Sequence, residues 1–199
     1  MCRRMKTAIT MAFPIAAPTI QRVVCAFRRF IAERRGIAAV EFAMLLPMML
    51  MLFLGSVEVT TGVAIQRKVT LTARAVADLS SQFTNIYNAD MSNILNASSD
   101  IIAPYAATPL TVVVSELSID NQGQATVVWS DTLNGTARTA GSSVTIPASL
   151  ATPNSYLLLG EASYVYDPTY GYVLTGTLTL SDKIYMRPRQ SASVARTNS

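Results

Sequence analysis

Apolar and polar positions along this chain follow three successive rhythms. From Ile37 to Val57 the sequence holds 21 residues with one charge, Glu41. As a helix rising about 1.5 Å per residue, that run reaches roughly 30 Å, the thickness of a bilayer core. From Glu58 the pattern turns amphipathic. Val59, Val63, Val69, Val76, Leu79, Phe83, Ile86 and Tyr87 recur at helical spacing, and Arg67, Lys68, Arg74 and Asp78 supply a polar side. This predicts one helix over 37 to about 87, its stripe packed on a domain. Pro47 falls in the membrane part, where a proline is tolerated with a kink. A shorter helix is predicted over 91–102. Met91, Ile94, Leu95, Ile101 and Ile102 share one side, with Asp90 as N-cap and Pro104 beyond the end.

From Leu110 the rhythm becomes that of strands. The segment 110–119 is rich in β-branched residues. Asp120-Asn121-Gln122-Gly123 is turn chemistry, and a second strand is expected over 124–130 with Ala125, Val127 and Trp129 on one face. Asn134-Gly135 marks another turn, and 143–146 is a short strand candidate. Two more strands are expected over 156–167 and 172–180, the latter alternating Leu174, Leu178 and Leu180 with Thr175, Thr177 and Thr179. Residues 184–186 extend the sheet edge until Arg187-Pro188-Arg189 stops it. The polar tail from Gln190 is expected to be disordered.

Helices followed by strands indicate an α+β fold, a long N-terminal helix packed on an antiparallel sheet, rather than a parallel α/β sheet. The expected divisions are a basic cytoplasmic segment over 1–36, a transmembrane helix over 37–57 and an amphipathic helical segment over 58–104. A β-sheet domain over 105–189 and the tail over 190–199 complete them.

Charge changes the picture. The net charge is +4, yet eight of the 16 basic residues precede the apolar run: Arg3, Arg4, Lys6, Arg22, Arg28, Arg29, Arg34 and Arg35. Only Glu33 is acidic there. Beyond Gly36, eight basic and eleven acidic side chains remain. The basicity therefore belongs to one flank of a membrane segment and argues against a nucleic-acid partner. By the positive-inside rule that flank stays in the cytoplasm and the C-terminal domain lies outside. The weakly apolar stretch 8–17 is short, contains Pro14 and is followed by more arginines, which weighs against a secretory signal. A start at Met5 or Met11 would shorten the segment.

Both cysteines, Cys2 and Cys25, lie in the basic segment without metal-ligand spacing, and the chain has no histidine. Without His or a Lys-bearing motif no nucleophile arrangement emerges, so an enzyme is not expected and no cofactor or metal is implied.

The most informative segment is the junction Glu33-Arg34-Arg35-Gly36-Ile37-Ala38-Ala39-Val40-Glu41-Phe42, running into Ala43-Met44-Leu45-Leu46-Pro47. A glycine at the membrane boundary leaves the backbone open to a membrane protease. Glu41 lies within the apolar run, where an ionised carboxylate costs about 3 kcal/mol. It is either protonated, extended toward the headgroups, or matched by a partner.

This junction resembles the prepilin processing signal, basic residues followed by Gly and an apolar run carrying Glu. With Phe42 after Glu41, residues 34 to about 80 look like the TadE-type segment of tight-adherence (Tad/Flp, type IVb) pilus systems. The stretches 127–130 and 185–189 look like tails of TadE-like proteins. The resemblance implies a minor pilin or pseudopilin cut between Gly36 and Ile37 by a prepilin peptidase. Glu41 and Phe42 would then serve assembly, with the freed amine of Ile37 as partner of Glu41. It further implies the major Flp-type pilin, other minor pilins, inner-membrane platform proteins, a secretion ATPase and a secretin as partners, and a place in the bacterial inner membrane or pilus. The long segment before Gly36 departs from the pattern. An uncleaved single-pass membrane protein with a partner-binding outer domain is the alternative.

Other features have plainer readings. Glu58 marks the end of the apolar run. Asn96-Ala97-Ser98 and Asn134-Gly135-Thr136 match a glycosylation acceptor by pattern alone, and the second is better explained as a turn. Gly55 and Gly62 would allow close approach of helices. Tyr164, Tyr166, Tyr170 and Tyr172 alternate as sheet-packing residues do.

Overall fold

The computed structural model describes residues 34–168 and 176–197, and its side chains from Gly36 onward. The expected strand residues 172–175, and Tyr170 and Tyr172 among the tyrosines, lie outside these, as do Cys2, Cys25 and the arginines up to Arg29. The chain divides between Met51 and Leu52 into two compact units.

In the first unit, the described residues belong to helix α1, which spans Arg34–Ser81 and continues into the second unit. Every side chain from Gly36 to Met51 is exposed. Among the described residues, α1 alone is long and apolar enough to cross a membrane. An apolar surface of this extent exposed on a helix marks a membrane anchor.

The second unit is an α+β domain. After α1 come β1 (Asn85–Ile86), α2 (Asn88–Ile102), β2 (Leu110–Ile119), β3 (Ala125–Leu133), β4 (Ser143–Val144), β5 (Ser155–Tyr166), β6 (Leu178–Met186) and β7 (Ala195–Arg196). Five strands form one antiparallel sheet in the order β4-β3-β2-β5-β6, and β1 pairs with β7 in a separate parallel ribbon.

The sheet buries both faces. On the helix side, Leu110, Val112, Val114, Leu158, Ala162, Tyr164 and Tyr166 pack with Ile65, Val69, Ala73 and Val76 of α1 and with Met91, Ile94, Leu95 and Ile102 of α2. On the opposite face, Leu117, Ile119, Ala125, Val127, Leu157 and Leu159 form a smaller cluster under Val144, Ile146 and Leu150. Gly160 sets the closest approach. A Cβ built there would lie 2.5 Å from Ala73 O and 3.0 Å from Ala77 Cβ, so only glycine lets α1 lie so close to β5.

Several expectations are refined. Helix α1 ends at Ser81 rather than near 87, because the carbonyl of Ser81 accepts the N–H of Arg189 at 2.9 Å and the chain then turns into β1. Val59 and Val63 are exposed. The buried face runs instead through Glu58, Gly62, Ile65, Val69, Thr72, Ala73, Val76 and Ala77. Helix α2 begins at Asn88. Asp90 is not its N-cap but lies in its first turn, where its carboxylate accepts the N–H of Tyr87 at 3.2 Å. Strand β6 runs unbroken from Leu178 to Met186. Ser181 and Asp182 fit within it because α1 uses them: Gln66 donates to Ser181 O, and Thr70 Oγ1 donates to Asp182 Oδ2 at 2.5 Å.

Two expectations are overturned. Ala125, Val127 and Trp129 do not share a face. An irregularity between Glu116 and Leu117 opposes Glu116 to Trp129 and Leu117 to Val127, leaving Val128 as an extra residue. Trp129 therefore joins the helix-side core and Val127 the opposite one. The C-terminal segment is also ordered as far as Thr197. Val194 is fully buried, β7 pairs with β1, and Arg196 is ion-paired with Asp131 at 2.8 Å.

Candidate functional site

The residues that carry the processing and assembly reading, Gly36, Ile37, Glu41 and Phe42, all lie at the start of α1. Helical geometry brings Ile37 and Glu41 to one face, one turn apart, with Phe42 about 100° further round. All four are exposed, Ile37 at 57% and Phe42 at 59%. A Cβ built at Gly36 meets no atom within 4 Å, so the peptide on either side of it is sterically open.

The Gly36–Ile37 bond lies within α1, which is helical from Arg34, the first residue described, onward. Were that bond cut, the N-terminal partial positive charge of α1 and a new ammonium would both sit one turn from Glu41. Opposite charges at that spacing attract, and the helix dipole adds to the attraction.

The α+β domain contributes two constellations that the sequence did not announce. The first surrounds Glu58. This residue is only 2% exposed although it follows the apolar run directly. Tyr166 OH reaches Glu58 O at 3.5 Å, and the Tyr166 ring lies over Gly62, 3.7 Å from where a Cβ would be. Gly62 thus accommodates an aromatic ring of the sheet. Burial pushes the Tyr166 phenol up from its ordinary value, and the negative charges of Glu58 and Asp167 and the nearby Tyr105 add to the shift. The alternation of Tyr164 and Tyr166 signalled burial, but it did not indicate their contact with α1.

The second constellation seats the C-terminal segment. Glu116 and Trp129 are cross-strand neighbours on the helix-side face. Glu116 Oε1 accepts the N–H of Val194 at 2.5 Å, and Trp129 Nε1 donates to Val194 O at 2.7 Å. Burial pushes the Glu116 carboxyl up, and the Val194 N–H and the nearby Trp129 indole offset part of the rise. One signal was available in the sequence. Glu116 occupies the next buried-parity position after Val112 and Val114, where a carboxylate needs a partner.

Lys68 Nζ donates to Ile101 O at 2.9 Å and Ala103 O at 2.5 Å, so a cation of α1 meets the carbonyl end of α2. Asn134, with φ of 54°, donates to Leu110 O at 3.1 Å, which gives it a turn role.

No curated protein and no solved structure matches the chain. A family model does match, that of TadE-like protein, over residues 36–78. Its span opens at Gly36, covers the apolar run and continues along α1 to Asp78, the residue whose carboxylate pairs with Arg189. Residues 36–78 of this chain are therefore similar to the TadE-like family, the one that the junction at Gly36 resembles.

Proposed function

We propose that the chain is a minor pilin or pseudopilin, a structural and assembly subunit of a tight-adherence pilus used in surface attachment, and not an enzyme. The observation that carries this reading is that the TadE-like match opens on Gly36, the residue at the junction of basic flank and apolar run. A prepilin peptidase cuts between Gly36 and Ile37. Glu41 and Phe42 then direct docking among other pilins, the major Flp-type pilin included, and the inner-membrane platform of the Tad machine. The eight basic residues before Ile37 hold the N-terminus in the cytoplasm, and the domain beyond Val57 faces the periplasm.

The experiment is expression with and without the cognate prepilin peptidase, followed by mass measurement of the membrane-extracted protein. A peptidase-dependent loss of residues 1–36 supports the reading. A second reading, an uncleaved single-pass protein whose outer domain binds a partner, is favoured by one observation: α1 is helical across the Gly36–Ile37 bond without a break. Unchanged mass with active peptidase present would select it.

A further inference from the structure

We infer that the outer edge of the chain from Lys183 to Arg187, in and just beyond β6, is a docking site for an extended segment of another protein, which adds to the sheet as a further strand and carries acidic residues four positions apart. All the residues involved belong to the second compact unit, and the inference holds whether or not residues 1–36 are removed.

Strand β6 ends the five-stranded sheet and is bonded to β5 on one side only. In an antiparallel strand the backbone groups of alternate residues point to the same side. Two contacts identify the outward set. Ser181 O accepts Gln66 Nε2 at 3.3 Å, and Asp182 Oδ1 accepts the Lys183 N–H at 2.8 Å. The Lys183 carbonyl and both backbone groups of Tyr185 therefore point outward too, and among the described residues none meets a partner there. Helix α1 thus closes the edge at Ser181 and leaves it open from Lys183 onward. Residues 169–175 join Pro168 to Gly176 at the other end of the strand. Tied at both ends, a segment of that length reaches about 14 Å from those two residues, whereas Tyr185 lies about 23 Å along β6 from Leu178.

Beside the open stretch runs a groove of about 660 Å³, lined by Leu71, Arg74 and Ala75 of α1 and by Ile184 and Met186 of β6, with the Asp78–Arg189 pair also bordering it. Leu71 is 54% exposed on the helix flank. Ile184 belongs to the helix-side core and Tyr185 to the opposite one, so Lys183 and Arg187 share the face of Tyr185. A strand added to this edge sets alternate side chains into the groove against Leu71, Ile184 and Met186. Its other side chains lie opposite Lys183, Tyr185 and Arg187.

Charge selects the occupant. The nearby carboxylates are engaged, Asp78 by Arg189 and Gln82 and Asp182 by Thr70 and the Lys183 N–H. Among the described residues no carboxylate pairs with Arg74, Lys183 or Arg187. Two copies of β6 paired antiparallel here would set Lys183 against Lys183 or Arg187, directly opposite or on the diagonal, which is unfavourable. Lysine on an edge strand guards against such self-pairing. A strand with acids opposite Lys183 and Arg187 and apolar residues opposite Ile184 and Met186 satisfies both the backbone and the charges. Backbone bonds then supply affinity and the alternate side chains supply specificity.

The experiment titrates the full chain in detergent micelles with a fluorescent synthetic peptide, Thr-Glu-Val-Thr-Val-Glu-Thr. Anisotropy reads binding, and hydrogen exchange at the Tyr185 amide reads the edge. Two further peptides serve as comparisons, one with Lys for both Glu and one with an N-methyl group on the central Thr, which would face Tyr185. The expected result is saturable binding of the acidic peptide with slowed exchange at Tyr185, and severalfold weaker binding of both comparisons. Lys183→Glu, an exposed change, should weaken the acidic peptide severalfold and strengthen the Lys peptide, with an unchanged circular dichroism spectrum. No saturable binding of the acidic peptide would overturn the proposal. Equal binding of the N-methyl peptide would reduce the contact to charge attraction without strand addition and overturn it. Equal affinity of the acidic and Lys peptides would overturn the acidic partner. Exchange at Tyr185 that slows with chain concentration alone would assign the edge to a second copy and overturn the proposal.

Discussion

Glu116 and Trp129 face each other across β2 and β3 and together hold the peptide groups of Val194, one accepting its N–H and the other donating to its carbonyl. Side chains from neighbouring strands thereby fix the backbone of a residue more than 60 positions further on. Val194, fully buried between them, completes the helix-side core.

Trp129→Phe should keep the ring packing and lose the hydrogen bond, leaving Val194 O buried without its donor. The expected cost is about 1–3 kcal/mol of domain stability. Protease sensitivity should rise first within 190–197, where the segment depends on this seat and on the Arg196–Asp131 pair. Urea unfolding in detergent and limited proteolysis with mass mapping check both.

Glu116 gives stability a pH dependence of defined sign. Its folded-state pKa is raised above 4.5, so the folded state binds a proton more tightly than the unfolded state does. Its contribution is therefore fully present below about pH 4.5 and is lost as pH rises through the raised value. Glu116→Gln keeps an acceptor for the Val194 N–H and removes the titration. In unfolding experiments over this window, wild type should lose stability relative to the Gln variant as pH rises, by at most about 1.4 kcal/mol per pH unit.

Gly160→Ala should push α1 off β5, because the new Cβ meets the backbone of Ala73 and the Cβ of Ala77. Overpacking of this kind costs about 1–3 kcal/mol. Gly36→Ala adds a Cβ with nothing near it and should leave domain stability unchanged. If Gly36 is the processing site, the same substitution lowers the yield of mature protein on a blot. The two substitutions thus separate structural from processing use of a glycine.

Much of the fold was legible because its signals were local. The long apolar run, the β-branched residues of 110–119, and the turn at 120–123 each follow from composition, period and turn chemistry within a few residues. What escaped was set by distant partners. The bulge that turns Trp129 away from Val127 serves a seat for Val194, and a lone valine in a polar tail carries no periodic signal. The end of α1 is fixed by Arg189, more than 100 residues later. Asp182 interrupts an apolar rhythm but is held in β6 by Thr70. At the helix start the reverse holds. Gly36, Ile37, Glu41 and Phe42 were singled out from sequence alone, and the structure places them exposed on α1.

Glu41→Gln keeps size and polarity and removes the charge. Membrane insertion and the protease resistance of the α+β domain should be unchanged, because Glu41 is exposed on the anchor and contributes nothing to the core. Co-purification with other pilins should fall. Pairing of the Ile37 ammonium with this carboxylate is expected to favour a single docking register, since each charge is costly alone in low dielectric and tolerable together with the other. Co-assembly at the wild-type level would show that the charge is not used.

The most direct test of the central claim is N-terminal sequencing of the membrane-extracted protein from cells that carry its prepilin peptidase. The expected mature chain begins Ile37-Ala38-Ala39-Val40-Glu41. A chain that retains Arg34, Arg35 and Gly36 would contradict it.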